Sequence, residues 1–170
     1  MKAFNRVFIA GTMQGANKGS AIWGQGYREE IPAIVRKHLP DAECFDPGSP
    51  VQRYLQQVPP DLLSAAIPGS QVDRFQTGSI KGSAQAIRTL FRDMTRKASG
   101  SDLCIAYLPD HIPSMGTAME MYSAHLGGAT VVSITEMRHN LSILSISDWI
   151  LRDFKALDSW LSETTYARKK

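Results

Sequence analysis

Cysteine is scarce in this sequence, which argues against a disulfide-stabilised protein and against a zinc-binding protein. The 170 residues contain only two cysteines, Cys44 and Cys104, and each stands in a short apolar, strand-like run. Such runs favour buried free thiols over a disulfide, so we expect a reducing compartment. No Cys or His pairs stand at zinc-ligand spacing, so we expect no metal site.

Long hydrophobic runs and blocks of one charge are also lacking. No apolar stretch is long enough to span a membrane, and the first residues lack the apolar core of a signal peptide. The formal net charge is only +3, and the one basic cluster is residues 168–170. We therefore predict a cytoplasmic protein with neither a membrane nor a nucleic acid as its partner.

Short apolar segments alternate with helical patterns along the chain. The strand-like segments are Val7–Ala10, Glu43–Phe45, Leu103–Tyr107, Thr130–Ile134 and Leu141–Ile146. Helical spacing of apolar residues predicts helices over 21–38, 81–98 and 116–126, and a closing helix capped by Asp148. This alternation predicts a parallel sheet with helices on both faces.

We expect one α/β domain over residues 1–170, with a Rossmann- or flavodoxin-like three-layer fold and a five-stranded, mostly parallel sheet. Prolines and glycines interrupt every pattern from about 50 to 80, which predicts an irregular insertion there. Ligands of such folds bind beyond the carboxyl ends of the strands. Two segments therefore matter most, the loop of residues 11–20 and residues 108–120.

The second of these segments carries the strongest candidate for chemistry. A strand leads through Ser114, Gly116 and Thr117 into a helix that contains Glu120. Backbone N–H groups at the start of a helix can bind an anion, and an ionised carboxylate nearby can act as a nucleophile. By itself the pattern also fits a Glu that only interacts favourably with the helix dipole.

These residues belong to a larger ordered set, which resembles the nucleoside 2-deoxyribosyltransferase-like family. The resemblance covers roughly residues 5–145, without a clear counterpart for 50–80. The matching elements are Phe8 to Thr12, Asp93, Asp102 to Tyr107, Ser114 to Glu120, Gly128, and Thr130 to Ile134.

The resemblance implies roles for individual residues. Glu120 would attack the anomeric carbon and form a glycosyl-enzyme ester, and Asp93 would assist proton transfer. A helix Asp paired with Arg92 or Arg96 is the alternative for Asp93. The remaining substrate-binding residues implied are Phe8, Gly11, Thr12, Gln14, Ser114, Gly116, Thr117 and Ser142.

Position 114 separates branches of the family. The transferases carry an acid there, whereas enzymes that hydrolyse nucleoside 5′-monophosphates carry Ser, whose hydroxyl can donate to a phosphate that an Asp would repel. Ser114 can equally be a helix cap. Gln14 stands where the monophosphate branch has Arg, and Lys18 or Arg28 could supply the missing charge. Ser142 resembles a Ser that reaches the neighbouring subunit's phosphate site, which implies a homodimer or larger homo-oligomer.

The resemblance thus implies hydrolysis of a nucleoside 5′-monophosphate to free base and sugar phosphate, without a metal or organic cofactor. A base-exchanging nucleoside 2-deoxyribosyltransferase is the first alternative. The cytokinin-activating phosphoribohydrolases share Gly116, Thr117 and Glu120 but have glycine clusters that this chain lacks. A non-catalytic nucleotide-binding or sensor module is the third alternative. It is favoured by Phe8 and Gln14, because both depart from the residues that the enzymes usually carry at these positions.

Overall fold

The computed structural model describes residues 3–13, 24–57 and 73–168. Five strands form one sheet: β1 (Arg6–Gly11), β2 (Glu43–Phe45), β3 (Leu103–Leu108), β4 (Thr130–Thr135) and β5 (Trp149–Leu151). All neighbouring strands are parallel, in the order β2-β1-β3-β4-β5. The predicted α/β fold is confirmed, and the sheet is entirely parallel.

Six α-helices lie within the described residues. They are α1 (Tyr27–His38), α2 (Gly48–Gln57), α3 (Gly82–Ser99), α4 (Met115–Leu126), α5 (Leu141–Ile146) and α6 (Phe154–Arg168). A 3₁₀ turn spans Thr77–Ser79. None of these helices is long and apolar enough to cross a membrane.

Side chains alternate across β1 and separate the core into two layers. Val7 and Ile9 pack with Ile31 and Leu161, in the layer of α1 and α6. Phe8 and Ala10 belong to the opposite layer, where buried residues of α3 and α4 cover the sheet: Ala98, Met121 and Ala124. Alternate side chains of a strand point to opposite faces, so both faces of a central parallel strand are apolar.

The strand order creates a crevice at one edge of the sheet. From β1 the chain passes to β2 on one side, and β3 then pairs with β1 on the other side. Helices that follow these strands diverge at that point, so the carboxyl ends of β1 and β3 form the expected ligand site. Gly11 ends β1, and Leu108 ends β3 before the loop that enters α4.

The expectation of irregular structure from residue 50 is wrong for the segment that forms α2. Pro50 lies in the first turn of the helix, where its missing N–H would have no partner within the helix. The Asp46 carboxylate accepts a hydrogen bond from the Gly48 N–H at 2.9 Å and so caps the helix. Residues 58–72 of the predicted insertion lie outside the described residues.

The predicted strand at Leu141–Ile146 is also wrong, because this segment forms α5. The Asn140 side chain accepts hydrogen bonds from the N–H groups of Ser142 and Ile143, at 3.0 and 3.2 Å, and caps the helix. The last strand is β5, which begins three residues after α5 ends.

Asp148 does not cap the closing helix as predicted. Its carboxylate accepts a hydrogen bond from the Val131 N–H at 2.8 Å, and its own N–H donates to the Val131 carbonyl. The closing helix begins at Phe154, where the Asp153 carboxylate accepts a hydrogen bond from the Ala156 N–H at 2.8 Å.

Candidate active site

The start of α4 is fixed by a cap. Ser114 has an extended backbone, and its hydroxyl oxygen accepts hydrogen bonds from the N–H and the hydroxyl of Thr117, at 3.4 and 2.9 Å. Thr117 is buried, so this pair anchors the first turn against the sheet. The helix therefore starts at the carboxyl edge of β3 with its first N–H groups beside the crevice.

Glu120 is the sixth residue of α4 and points inward. Only 9% of the residue is exposed, and no hydrogen bond or ion pair joins its side chain to another described residue. Burial raises the pKa of the Glu120 carboxyl to about 8, against a lowering by Arg28 and a further raising by Asp46. Burial disfavours the charged form, because a carboxylate loses its hydration there.

The end of β1 allows two side chains to approach from opposite layers. A Cβ on Gly11 would overlap the ring of Tyr27, so only glycine fits at this position. Tyr27 belongs to the layer of α1 and α6, whereas Glu120 comes from α4 on the other face. The Thr12 N–H donates to the Tyr107 carbonyl at 3.2 Å and holds the end of β1 against β3.

A cavity of about 150 Å³ lies at this crevice, beside Glu120. Its lining residues are Gly11, Met13, Phe91, Ser114, Met115, Gly116, Thr117 and Glu120. The two segments selected from the sequence, one after β1 and one after β3, therefore meet around one space. The space combines a buried carboxylate with the amino-terminal turn of a helix, a combination suited to a polar ligand that carries an electrophilic carbon.

Solved structures share this architecture. The 2-deoxyribosyltransferase from Bacillus psychrosaccharolyticus is 13% identical, with a TM-score of 0.54 over 94% of this chain and 95% of that one. A conserved protein from Enterococcus faecalis V583 is 15% identical, with a TM-score of 0.50 over 95% and 99%. The chain has the 2-deoxyribosyltransferase fold.

A third solved structure is less similar. The CMP N-glycosidase BcmB of Clostridium botulinum is 16% identical, with a TM-score of 0.45 over 93% of this chain and 98% of that one. No protein-family model and no curated protein matches the chain. The 2-deoxyribosyltransferase fold is thus the level at which the resemblance seen in the sequence is confirmed.

Asp93 lies away from the cavity of this 2-deoxyribosyltransferase fold. Its side chain is 47% exposed and pairs with Arg96 at 3.1 Å, one helical turn further along α3. The residue of α3 that lines the cavity is Phe91. This geometry matches the helix-pairing alternative considered for Asp93.

Three other residues expected to bind substrate lie in the core, at the end of β1 and in a neighbouring cavity. Phe8 is buried and stacks on Phe45, with ring centroids 5.7 Å apart. The Thr12 hydroxyl is buried and has no hydrogen-bond partner among the residues that the structure describes. Ser142 lines a neighbouring cavity of about 170 Å³ that shares Ser114 and Met115 with the cavity beside Glu120. Gln14 lies outside the described residues.

A buried ion pair near Glu120 was not predicted from the sequence. Arg28, whose side chain is 7% exposed, pairs with Asp46 and lies over the ring of Tyr27, with its guanidinium carbon 4.6 Å from the ring centroid. The sequence suggests Arg28 only as a possible phosphate contact. Asp46 follows β2 directly, so its position at the same sheet edge was the available indication.

The described residues contain no group of three or more His, Cys, Asp or Glu side chains that could hold a metal ion. Among the described residues that line the cavity, the groups available for chemistry include the Glu120 carboxyl, the hydroxyls of Ser114 and Thr117, and the backbone N–H groups at the start of α4.

Proposed function

We propose that this protein hydrolyses the N-glycosidic bond of a nucleoside 5′-monophosphate to a free base and a (deoxy)ribose 5-phosphate. One observation carries the proposal: a buried carboxylate, Glu120, lies beside a small cavity at the crevice of a 2-deoxyribosyltransferase fold. A carboxylate in such a place can attack the anomeric carbon as the base departs.

The proposed reaction has two steps that balance. In the first, a Glu120 oxygen forms a bond to the anomeric carbon while the carbon–nitrogen bond breaks, and a general acid gives a proton to the departing base. In the second, the hydroxyl of a water molecule bonds to the anomeric carbon while the ester bond breaks, which releases the Glu120 carboxylate, and the water's proton returns to the general acid. The positive charge on the sugar ring in each transition state favours an ionised Glu120.

Ser114 and the start of α4 support a phosphate in the substrate. The α4 helix has 12 residues, and its first N–H groups and the Ser114 hydroxyl adjoin the cavity. Phosphate oxygens accept hydrogen bonds from such donors, and the helix dipole favours their charge. An Asp at position 114 would oppose the same ligand.

The departing base needs a proton, and Asp93 remains the residue that the resemblance assigns to this step. Its pairing with Arg96 means that the side chain would have to turn from the surface of α3 to reach a substrate. Replacing Asp93 by Asn tests the assignment. A loss of base release confined to substrates with poor leaving groups supports it, and full activity on all substrates removes it.

The fold also favours a second candidate, base exchange by a nucleoside 2-deoxyribosyltransferase, because the Bacillus psychrosaccharolyticus enzyme has this architecture. In that reaction a second base, rather than water, would resolve the ester of Glu120.

Self-association is part of the proposal, and the surface of α4 supports it. Met115, Met119, Tyr122 and Leu126 recur at helical spacing along one side of α4 and are all exposed, Met115 to 88%. Leu141 and Leu144 of α5 are exposed as well, and α5 also contributes Ser142 to the cavity next to Ser114. An apolar surface of this kind marks a protein interface, and we propose that a second copy of the chain covers it.

The deciding experiment measures free base by chromatography after incubation with ribo- and deoxyribonucleosides and with their 5′-monophosphates. We expect release from monophosphates, and a loss of roughly 1,000-fold or more in Glu120→Gln. Glu163→Gln, an exposed acid of α6, is the matched control. Release only when a second base is added would identify a transferase, and no release from any substrate would favour a binding module.

A further inference from the structure

Among the described residues that line the cavity beside Glu120, the one aromatic side chain is Phe91 of α3. The residues at helical spacing from it on the same face of α3, Ala84, Met94 and Ala98, are buried. Phe91 itself is 45% exposed. Its ring therefore presents apolar surface to the cavity, at the point where α3 passes the carboxyl edge of the sheet.

The packing of α3 against α4 fixes the position of this ring. The Thr95 hydroxyl donates to the Phe91 carbonyl at 2.9 Å, and the Thr95 carbonyl accepts a hydrogen bond from the Ser123 hydroxyl of α4 at 2.8 Å. Where the two helices end, a Cβ on Gly127 would overlap the backbone of Ser99, so the helices are in close contact there. The rotation of α3 against α4 is thus determined, and with it the face that carries Phe91.

The ring lies beside the first turn of α4. A Cβ on Gly116 would stand 3.9 Å from Cε1 of Phe91, which is ordinary van der Waals contact. Gly116 and Glu120 are four residues apart in α4 and so lie on the same side of the helix, about one turn from each other. Side chains of a helix lean toward its amino terminus, so the Glu120 side chain leans toward the turn that the ring borders.

This spacing suits a substrate whose base leaves opposite to the nucleophile. An attacking oxygen stands about 3–3.5 Å from the reacting carbon, and the bond to the departing nitrogen adds about 1.5 Å. The base then begins roughly 5 Å from the Glu120 oxygen, close to the length of one helical turn. Met13 and Met115 also line the cavity, and thioethers make favourable contacts with aromatic rings.

We propose that Phe91 is a specificity-determining residue whose ring stacks on the departing base, so that the leaving group is a planar heteroaromatic base. The inference rests on the proposed function and deepens it by naming the group that recognises the base. Stacking holds a base by its π face, which every purine and pyrimidine offers. Any nucleotide that binds at Glu120 should therefore depend on Phe91, whereas ribose 5-phosphate, which has no base, should not.

The test is titration calorimetry in Glu120→Gln, where the ligands are not consumed. The probes are adenosine 5′-monophosphate, cytidine 5′-monophosphate and ribose 5-phosphate. We expect Phe91→Leu to raise the Kd of each nucleotide that binds by about tenfold, to leave ribose 5-phosphate unchanged, and Phe91→Tyr to retain the affinity. The proposal is overturned by an unchanged nucleotide Kd in Phe91→Leu, by an equal weakening of ribose 5-phosphate, or by a failure of both nucleotides to bind while Phe91 is present.

Phe75→Leu is the matched control for the loss of a ring. Phe75 is 42% exposed, close to the exposure of Phe91, and does not line the cavity, so its replacement should leave every Kd unchanged. Leu is at least as good a helix former as Phe, so Phe91→Leu should keep α3 intact, and thermal unfolding checks this. A lowered Tm with an unchanged nucleotide Kd would show that the ring has only a structural role.

Activity separates this proposal from the hydrolase proposal. In the enzyme with Glu120 intact, Phe91→Leu should raise the KM of a nucleotide about tenfold and change kcat little, because stacking acts in the ground state and the transition state alike. If nucleotide affinity depends on Phe91 but no base is released, the stacking role stands and the proposed reaction is wrong. If base is released with the same KM in Phe91→Leu, the reaction stands and the role of Phe91 is wrong.

Discussion

The burial of Glu120 makes reactivity and stability respond to pH in opposite directions. The fold places the carboxyl where its charged form is disfavoured, and the pKa of about 8 leaves roughly one molecule in ten ionised at pH 7. The proposed nucleophile is the ionised form, so activity and stability should respond to pH in opposite directions.

Base release should increase with pH up to about 8 and then level off. With a pKa of about 8, the carboxylate fraction grows from roughly a tenth at pH 7 to a half at pH 8, so kcat/KM should rise about fivefold over that pH unit and less than twofold over the next. The measurement is kcat/KM for a nucleoside 5′-monophosphate from pH 7 to 9.5, where the substrate phosphate is already a dianion. A rate that is flat from pH 7 upward would mean that the Glu120 carboxyl ionises at lower pH.

Stability should change the other way. Burial raises the pKa of Glu120 above the value of about 4.5 that an unfolded chain gives, so the folded state holds the extra proton between pH 4.5 and 8. The free energy of unfolding therefore falls as pH rises through this range. Glu120→Gln carries no such proton, and its Tm should exceed that of the unsubstituted protein by several degrees at pH 8.5, roughly 5 °C, and by less at pH 5.5. Glu163→Gln should show no such difference.

Gly11→Ala should destabilise the protein, because the added Cβ overlaps the Tyr27 ring at the end of β1. Overpacking of this kind costs about 1–3 kcal/mol, which chemical denaturation measures directly. Gly26→Ala is the control, since a Cβ at Gly26 meets nothing within 4 Å. Equal stability of the two variants would show that the Tyr27 ring moves aside without cost.

At the scale of elements, the strands were the easiest features to predict. β1, β3 and β4 are mainly apolar runs buried on both faces, and such runs are typical of central strands in a parallel sheet. The six apolar and serine residues of α5 fit either a short strand or a helix, and only the cap at Asn140 decides between them. The start of α2 depends on the hydrogen bond from the Gly48 N–H to Asp46, which the prolines and glycines of this segment do not indicate.

In the candidate site, too, some residues can be placed from the sequence pattern and others only from the tertiary structure. Gly11 ends β1, and Ser114 and Glu120 come after β3, so the sheet brings them to one edge, as expected. Arg28 and Asp46 meet only because α1 and β2 are neighbours in space, and no local pattern encodes that pairing. Asp93 was selected by the resemblance, but the rotation of α3 places Phe91 at the cavity.

Substitutions at Ser114 can separate the two roles of the start of α4. Asp caps a helix as well as Ser does, so Ser114→Asp should preserve stability while its charge repels a phosphate. We expect kcat/KM for a monophosphate to fall by roughly 100-fold, and that for the free nucleoside to stay the same or rise. Ser114→Ala should instead lose about 1 kcal/mol of stability with the cap. Equal losses for both substrates in Ser114→Asp would contradict a phosphate at this position.

At the scale of the whole molecule, the exposed side of α4 determines the expected mass in solution. Light scattering should give at least twice the 18.7 kDa of one chain. Met119→Glu places a charge in the middle of the apolar stripe, outside the residues that line the cavity, and should shift the mass toward 18.7 kDa. Tyr166→Glu, at an exposed position on α6, should leave the mass unchanged. A single-chain mass for the unsubstituted protein would remove self-association from the proposal.

The two outer strands of the sheet bear on solubility. β2 and β5 are each only three residues long, whereas β1, β3 and β4 have six. A short outer strand offers few unpaired backbone groups on which another chain could add a strand. Growth of this sheet into fibres by strand addition is therefore restricted at both edges, β2 and β5. The exposed apolar surface of α4 can still associate with other molecules. A sample that loses its α4 contacts should form amorphous aggregates, and should not bind dyes that recognise cross-β fibrils.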